Sequence, residues 1–374
     1  MTFGKDYTFK YIPFLFVGPS EMGAIQELPE KDKDLLLPLF PLRGWVGSHK
    51  LKNTPERIRK SIGDRRWIAD IDSSFLQHET YLRTGVYPRE VFHEIEALLD
   101  SSNGYENWCQ YVASINEAIP VLQLHDIYEF DRQIVSLEAL GRGLVVKFTR
   151  LEVDSGLCFE VINRLVERDV NDLLVMFDYG HFFADVNKST QKIADLVSFV
   201  ANSLPQALIS ISGSSFPFEF SGYENGENSI YERLLFNDVK GLCPNARLVY
   251  SDRGSARAEK IKGGGGTPAP RIDYPLDNDW RFIRDNYADA KDIQVGEKQA
   301  LFTSIAQRII ASNYWEPDLL LWGTQLITVT SQGDEYGIDN ATKATAARIN
   351  IHLHRQLHYG SNLSDIDTDD DWED

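Results

Sequence analysis

Eight short runs of apolar residues recur along the chain: YIPFLFV from Tyr11, LLLPLFPL from Leu35, WIADI from Trp67, AIPVLQL from Ala118, GLVVKF from Gly143, DLLVMFD from Asp172, ALISIS from Ala207 and ARLVYSD from Ala246. Each has the length of one strand. Apolarity that is continuous rather than alternating means that both faces of the strand are buried, as in a parallel sheet wrapped by helices. Helically spaced segments such as REVFHEIEALL, LCFEVINRLVERDV and STQKIADLVSFVANSL separate the runs, starting near Ser, Thr, Pro or Asp and stopping near Gly, Pro or Asn. Eight βα units close a barrel. The competing fold, an open doubly wound sheet, would carry G-x-G-x-x-G after its first strand. Here that turn reads VGPSEMGA, with only Gly18 and Gly23, so the dinucleotide fingerprint is missing.

The fold class read from this pattern is α/β, a (β/α)8 TIM-like barrel with a C-terminal helical and irregular appendage. Residues 1–262 are assigned to the barrel, 263–360 to an appendage packed on it, and 361–374 to a disordered acidic tail. The tail, SNLSDIDTDDDWED, holds seven acidic groups of a chain whose net charge is −18, so the rest is acidic as well. Such a surface repels a phosphate backbone, which argues against sequence-independent nucleic-acid binding and for a small phosphorylated ligand or a protein partner. One stretch runs against the trend: RGWVGSHKLKNTPERIRKSIGDRR, between the second and third runs, is basic. The widely spaced Cys109, Cys158 and Cys243 fit reduced thiols in a cytoplasmic protein. No apolar stretch approaches the roughly 18 residues that would suggest a membrane span.

In a parallel barrel, chemistry gathers where the strands end in the C-terminal direction, because loops there converge on the axis. That end of this sequence is the polar one. Glu21 follows the first run, Arg43 the second, Asp70 closes the third, Lys147 lies in the fifth, Asp178 ends the sixth, Ser214 and Ser215 follow the seventh, and Asp252 and Gly254 end the eighth. Carboxylates from separate strands that converge cannot all ionise without a cation, so Glu21, Asp70 and Asp252 are the expected ligands of a divalent ion, Mg2+ or Mn2+. The competing role for such residues is helix capping or neutralisation of Lys147. Ser214, Ser215 and the KGGGG stretch after the eighth run offer small residues with free N–H groups where barrels bind phosphate, although four glycines also make a linker. On the last helix His354 and His358 are four apart, a spacing that can hold a metal, but no acidic residue of that helix completes a site.

Beyond these patterns, several motifs resemble the bacterial and phage family called beta protein. They are Tyr11-x-Pro13 with Glu21 in the first helix, Asp70, the Asp178-Tyr179-Gly180 triplet, Ser214-Ser215-Phe216-Pro217, Asp252 with Gly254, then Arg271 and Tyr274, and more loosely Trp322, Gly323 and His352. The resemblance spans most of residues 11–360. It implies a barrel carried by phages, mobile elements and neighbours of host-defence genes, with no established reaction. PLFPL places Pro41 where the family pattern has an acidic residue, which weakens a complete carboxylate ring.

Two readings of function follow. In the first, the chain is a metal-assisted hydrolase of a phosphate-containing nucleotide or nucleic-acid end in phage–host conflict. Lys147, Asp178 and Arg271 are then its catalytic residues, Arg43, Ser214, Ser215, Gly254 and Tyr274 bind substrate, and Glu21, Asp70 and Asp252 bind metal. In the alternative, the barrel is a non-catalytic sensor or interaction module working through the basic stretch and the acidic tail.

Overall fold

A computed structural model of the chain describes residues 2–220, 222–258 and 267–361. Strands β1 (Tyr11–Pro13), β2 (Leu39–Leu42), β3 (Trp67–Ile71), β4 (Ala118–Leu122), β5 (Leu144–Thr149), β6 (Leu173–His181) and β7 (Leu208–Ser214) each fall on one of the apolar runs. An outlying strand β8 (Asn225–Ser229) precedes β9 (Leu248–Asp252), the eighth strand of the barrel. The sheet runs β1-β9-β7-β6-β5-β4-β3-β2, all parallel, and closes through bridges from Tyr11 to Leu36 and Phe14 to Leu39. This is the (β/α)8 barrel that the spacing of the runs anticipates.

Why the runs are continuous is visible in the packing. Side chains of a strand alternate between faces. Ile12, Leu39, Ile68, Ile119, Val145, Leu174, Leu208 and Val249 point to the axis and form one apolar layer with Phe14 and Met176. Their neighbours Tyr11, Phe40, Trp67, Ala69, Leu144, Val146, Phe148, Val175, Phe177, Ile209 and Tyr250 point outward into the layer beneath the helices. Each strand thus buries both faces, at about 1.5–3 kcal/mol for every large apolar side chain removed from water.

After β9 the chain leaves the barrel. Strands β10 (Arg271–Pro275) and β11 (Asp279–Arg284) form an antiparallel sheet to which β8, from the loop after β7, adds the third strand. Two helices, Glu297–Ile310 and Trp322–Ser331, cover this sheet around a separate core of Ile272, Tyr274, Phe302, Ile305 and Ile309. The terminal helix Ala341–Leu357 then returns to the barrel. It starts at Asn340, whose side chain caps it by accepting from the Lys343 amide at 2.9 Å, and its Ala346, Ile349, Leu353 and Leu357 join the main barrel core beside the first helix, Pro19–Gln26. The stretch read as an appendage over 263–360 therefore divides in two. Its first part is an insertion, and its last helix covers β9 and β1 as the eighth helix of the barrel. No helix among the described residues is long and apolar enough to cross a membrane. The KGGGG glycines, Gly263 to Gly266, and nearly all of the acidic tail lie outside the described residues.

Candidate functional site

The pleat decides which strand-end residues reach the barrel axis. Val145 and Met176 face inward, so Lys147 and Asp178, two residues further along β5 and β6, face inward as well. The same count takes Ile68 to Asp70 on β3, Val121 to Gln123 after β4, and Val249 to Ser251 and Arg253 at the end of β9. These residues stand at the C-terminal mouth, above the apolar layer.

There they form two ion pairs. Lys147 Nζ lies 3.0 Å from Asp70 Oδ2, although β4 separates their strands. Arg253 holds Asp178 through two contacts, Nη2 to Oδ2 at 2.5 Å and Nε to Oδ1 at 3.3 Å. Gln123 Nε2 donates to Asp70 Oδ1 at 3.4 Å, and the Gly180 amide donates to Asp178 Oδ1 at 3.1 Å. Both cations lie against one ring: Phe14, just after β1, has the Arg253 guanidinium 4.2 Å and the Lys147 ammonium 5.7 Å from its centre. A ring following β1 can meet a lysine of β5, on the far side of the sheet, only across the barrel interior. Ser212 Oγ and Ser251 Oγ, buried on strands β7 and β9 beside this cluster, have no hydrogen-bond partner.

Burial opposes the charge on Lys147, but Asp70 and Asp178 together outweigh it and raise its pKa, so the side chain is an ammonium and not a base. At the rim, Arg43 pairs with Asp72 through Nε at 2.6 Å and lies over Phe16 and Phe75. Glu21, in the first helix, has its pKa raised by burial. Its own backbone N–H, Arg348 and Arg43 only partly offset this, which leaves a carboxyl that keeps its proton longer than an ordinary glutamate.

Asp252 is elsewhere. Tyr250 belongs to the outer layer, and Asp252, two residues on, shares that face and is fully buried. Its carboxylate accepts from the hydroxyls of Tyr11 and Tyr250 (the latter at 2.9 Å) and from the Gly254 amide at 2.7 Å, and it meets His352 Nε2 at 2.7 Å. Burial alone would raise its pKa, but His352, Tyr11 and Gly254 bring it below the ordinary aspartate value. Glu232 sits against this group. Its Oε2 accepts from the amide of Ser215 at 2.9 Å and from the Ser215 hydroxyl, while burial and the nearby Asp252 push its pKa up to about 8.

Of the residues expected at one site, the structure brings Asp70, Lys147 and Asp178 together at the mouth, with Arg43 and Glu21 around it. The expected metal set of Glu21, Asp70 and Asp252 is not assembled, because Asp252 is on the other face of its strand. Arg271 is in the insertion, paired with Asp273 at 2.9 Å and stacked 3.6 Å over Phe220; Arg348 shares that aspartate at 2.8 Å. Tyr274 is buried in the insertion core beside Tyr314 and Trp315. Ser214 Oγ accepts the Phe216 amide at 3.0 Å, Ser215 holds Glu232, and Gly254 makes the turn after Asp252 with φ +58°. These residues have structural partners of their own.

Arg253, Gln123 and Phe14 were not among the expected site residues. Counting in steps of two from the inner apolar positions, rather than taking whichever carboxylate ends the run, points to Arg253 and Gln123. The basic stretch after β2 is also less available than its charge suggests. Arg65 pairs with Asp34 and Glu30 at 2.7 and 2.8 Å, Arg59 with Asp64, and Lys50 with Glu90, while Arg57 packs over Trp45.

The family model described as Beta protein matches residues 11–358, from β1 to the end of the terminal helix. The chain is 25% identical over 366 residues to "Protein beta" of Enterobacteria phage P4, an alignment covering 95% of each chain. With a match that takes in every barrel strand, both mouth ion pairs and the helix that closes the ring, the chain belongs to the Beta protein family.

Proposed function

We propose that the barrel mouth is the working site of an enzyme that hydrolyses a small phosphorylated ligand, a nucleotide or a nucleic-acid end. The observation that carries this reading is the pair of buried ion pairs, Asp70–Lys147 and Asp178–Arg253, sharing the Phe14 ring. Burying an ion costs several kcal/mol, and an apolar pair of similar volume is often no less stable. The layer below shows that these strands pack well with apolar side chains alone. We read charges kept at this level, where apolar packing would do, as the mark of a working site.

Their chemistry suits phosphate. Lys147 stays protonated and Arg253 is a planar fork, so a phosphoryl group placed between them meets two cations fixed in advance by their aspartates. Arg43 adds a third at the rim. Glu21, whose carboxyl burial holds protonated longer than an ordinary glutamate's, lies within reach of the Arg43 charge at that rim. A Mg2+ or Mn2+ ion entering with the phosphates would find Asp70 and Asp178 as its oxygen ligands. The relative in a phage fits a setting in phage–host conflict.

The test is turnover of a nucleotide and oligonucleotide-end panel, with and without Mg2+ or Mn2+, for the wild type, Asp178→Ala and Lys147→Met. We expect activity on one phosphorylated class, falling about 10²–10³-fold when Lys147 is removed, the scale of losing one charge-stabilising donor. Equal inactivity of all three proteins across the panel refutes the reading.

A further inference from the structure

At the opposite end of the barrel the terminal helix carries a second group of chemistry-bearing residues, independent of the mouth. His354 Nδ1 lies 2.6 Å from Asp32 Oδ2, and His358 Nε2 lies 2.7 Å from Asp32 Oδ1. The two imidazoles are 4.6 Å apart between ring centres. Asp32 and His354 are buried, whereas His358 is 17% exposed, so the group reaches solvent on one side. Among the described residues this is the group of His, Cys, Asp and Glu side chains compact enough to hold an ion, with one ligand atom from each within 4.8 Å of the others.

Each element contributes for a simple reason. Residues four apart share a helix face, which puts both imidazoles on one side of the last turn. The acidic partner missing from that helix comes from the short helix Glu30–Lys33, which precedes β2 and therefore lies at the N-terminal end of the barrel. The neighbouring ammonium of Lys33 is turned away, donating to the Gln26 carbonyl at 2.7 Å and to Glu30 at 2.6 Å, so it does not compete for Asp32. Both ring nitrogens aim at one carboxylate. In the tautomers that carry the proton on the other ring nitrogen, their lone pairs converge beside a single oxygen ligand.

We propose that Asp32, His354 and His358 form a metal site for Zn2+ or a similar borderline transition ion. Two imidazole nitrogens and one carboxylate suit such ions, whereas Mg2+ and Ca2+ take oxygen ligands. With three protein ligands the fourth position goes to solvent on the His358 side. Each imidazole would bind the ion through the nitrogen that now faces Asp32 and carry its proton on the other ring nitrogen, so protons compete with the ion and binding weakens at low pH. It also ties the end of the terminal helix to the segment before β2, 322 residues away in the chain, so metal binding adds to folding stability.

The experiment uses the full chain stripped with a chelator, then titrated calorimetrically with Zn2+ and, separately, followed by the visible absorption of Co2+. We expect one ion per chain, an intense tetrahedral Co2+ spectrum and a Tm that climbs with Zn2+ concentration. His358→Gln keeps a donor to Asp32 and, being the most exposed member, leaves the far-UV circular dichroism unchanged. It weakens Zn2+ binding by more than about tenfold, the least that losing even an outer-shell partner brings, and abolishes the spectrum. A folded wild-type chain that binds neither ion, or binding that His358→Gln leaves unaltered, overturns the proposal. Either result is independent of the nucleotide panel, because the site shares no residue with the mouth.

Discussion

Asp178 in β6 and Asp252 in β9 each close the apolar run of their strand, yet they belong to opposite environments. Asp178 faces the axis and pairs with Arg253 at the C-terminal end of the barrel. Asp252 faces outward, is fully buried, and is surrounded by Tyr11, Tyr250, Gly254 and His352, with no room for anything else. One cluster pairs its charges across the barrel axis and the other binds its charge within the layer beneath the helices. The difference comes from a single residue of phase in the pleat, since the aspartate closing the β6 run falls on an inward position, whereas at β9 the inward position falls on Arg253, one residue after the aspartate. A strand-end carboxylate in a barrel is thus a site candidate only after its face is known.

This contrast makes Asp252 the more costly of the two to remove. Asp252→Ala strands two buried tyrosine hydroxyls and His352, and we expect a loss of about 3–5 kcal/mol in denaturant unfolding, the cost of breaking a buried pair from one side. A loss under about 1 kcal/mol would erase the distinction drawn between the two clusters.

The mouth should behave differently when its pair is removed whole. Lys147→Met alone leaves Asp70 without its cation, holding only the Ile71 amide at 2.8 Å and Gln123 at 3.4 Å, and we expect a loss of about 1–3 kcal/mol. The double variant Asp70→Leu/Lys147→Met should recover most or all of that stability while remaining inactive. A double variant no more stable than the single one would mean that the mouth is built for folding after all.

Glu232 sharpens the comparison through pH. Its pKa in the folded protein is raised, to about 8 from an ordinary 4.5, first by burial and then by Asp252. The native state therefore holds a proton that the unfolded chain gives up between these values, so the group's contribution falls as pH rises through that window and is constant outside it. Glu232→Gln should remove this slope. Relative to wild type, the variant should gain up to about 1.4 kcal/mol per pH unit between pH 5 and 8, measured as a difference of urea midpoints. Parallel profiles would show that Glu232 is not held protonated.

The smallest effect belongs to the basic stretch. Arg59 and Asp64 pair on the surface with both side chains mostly exposed, so Arg59→Ala should shift stability by less than about 0.5 kcal/mol. A larger change would show that this segment does more than solvate its own charges.

Much of the fold was legible because its cause is local. The eight runs mark eight strands since each strand must bury both faces, and helices such as Leu157–Glu167 and Ala341–Leu357 follow their apolar spacing and caps. Strand β8 was not legible: NGENS is polar and half exposed, and it is a strand only because β11 pairs with it. The site was half legible. Asp70, Lys147 and Asp178 could be picked out as polar residues closing apolar runs, while Arg253 was passed over for the aspartate beside it.

The sequence by itself determined the number of barrel strands, the polar character of their C-terminal ends and the acidic surface, because these follow from composition and from which residues can be buried. Only the tertiary structure decided which carboxylates meet. It turned Asp252 into the closed hub and left Asp178 in the mouth, it returned the terminal helix to complete the barrel, and it brought Asp32 to His354 and His358. Such contacts join residues up to hundreds of positions apart. They depend on strand phase and helix placement, which the packing of the whole chain sets and no local pattern records.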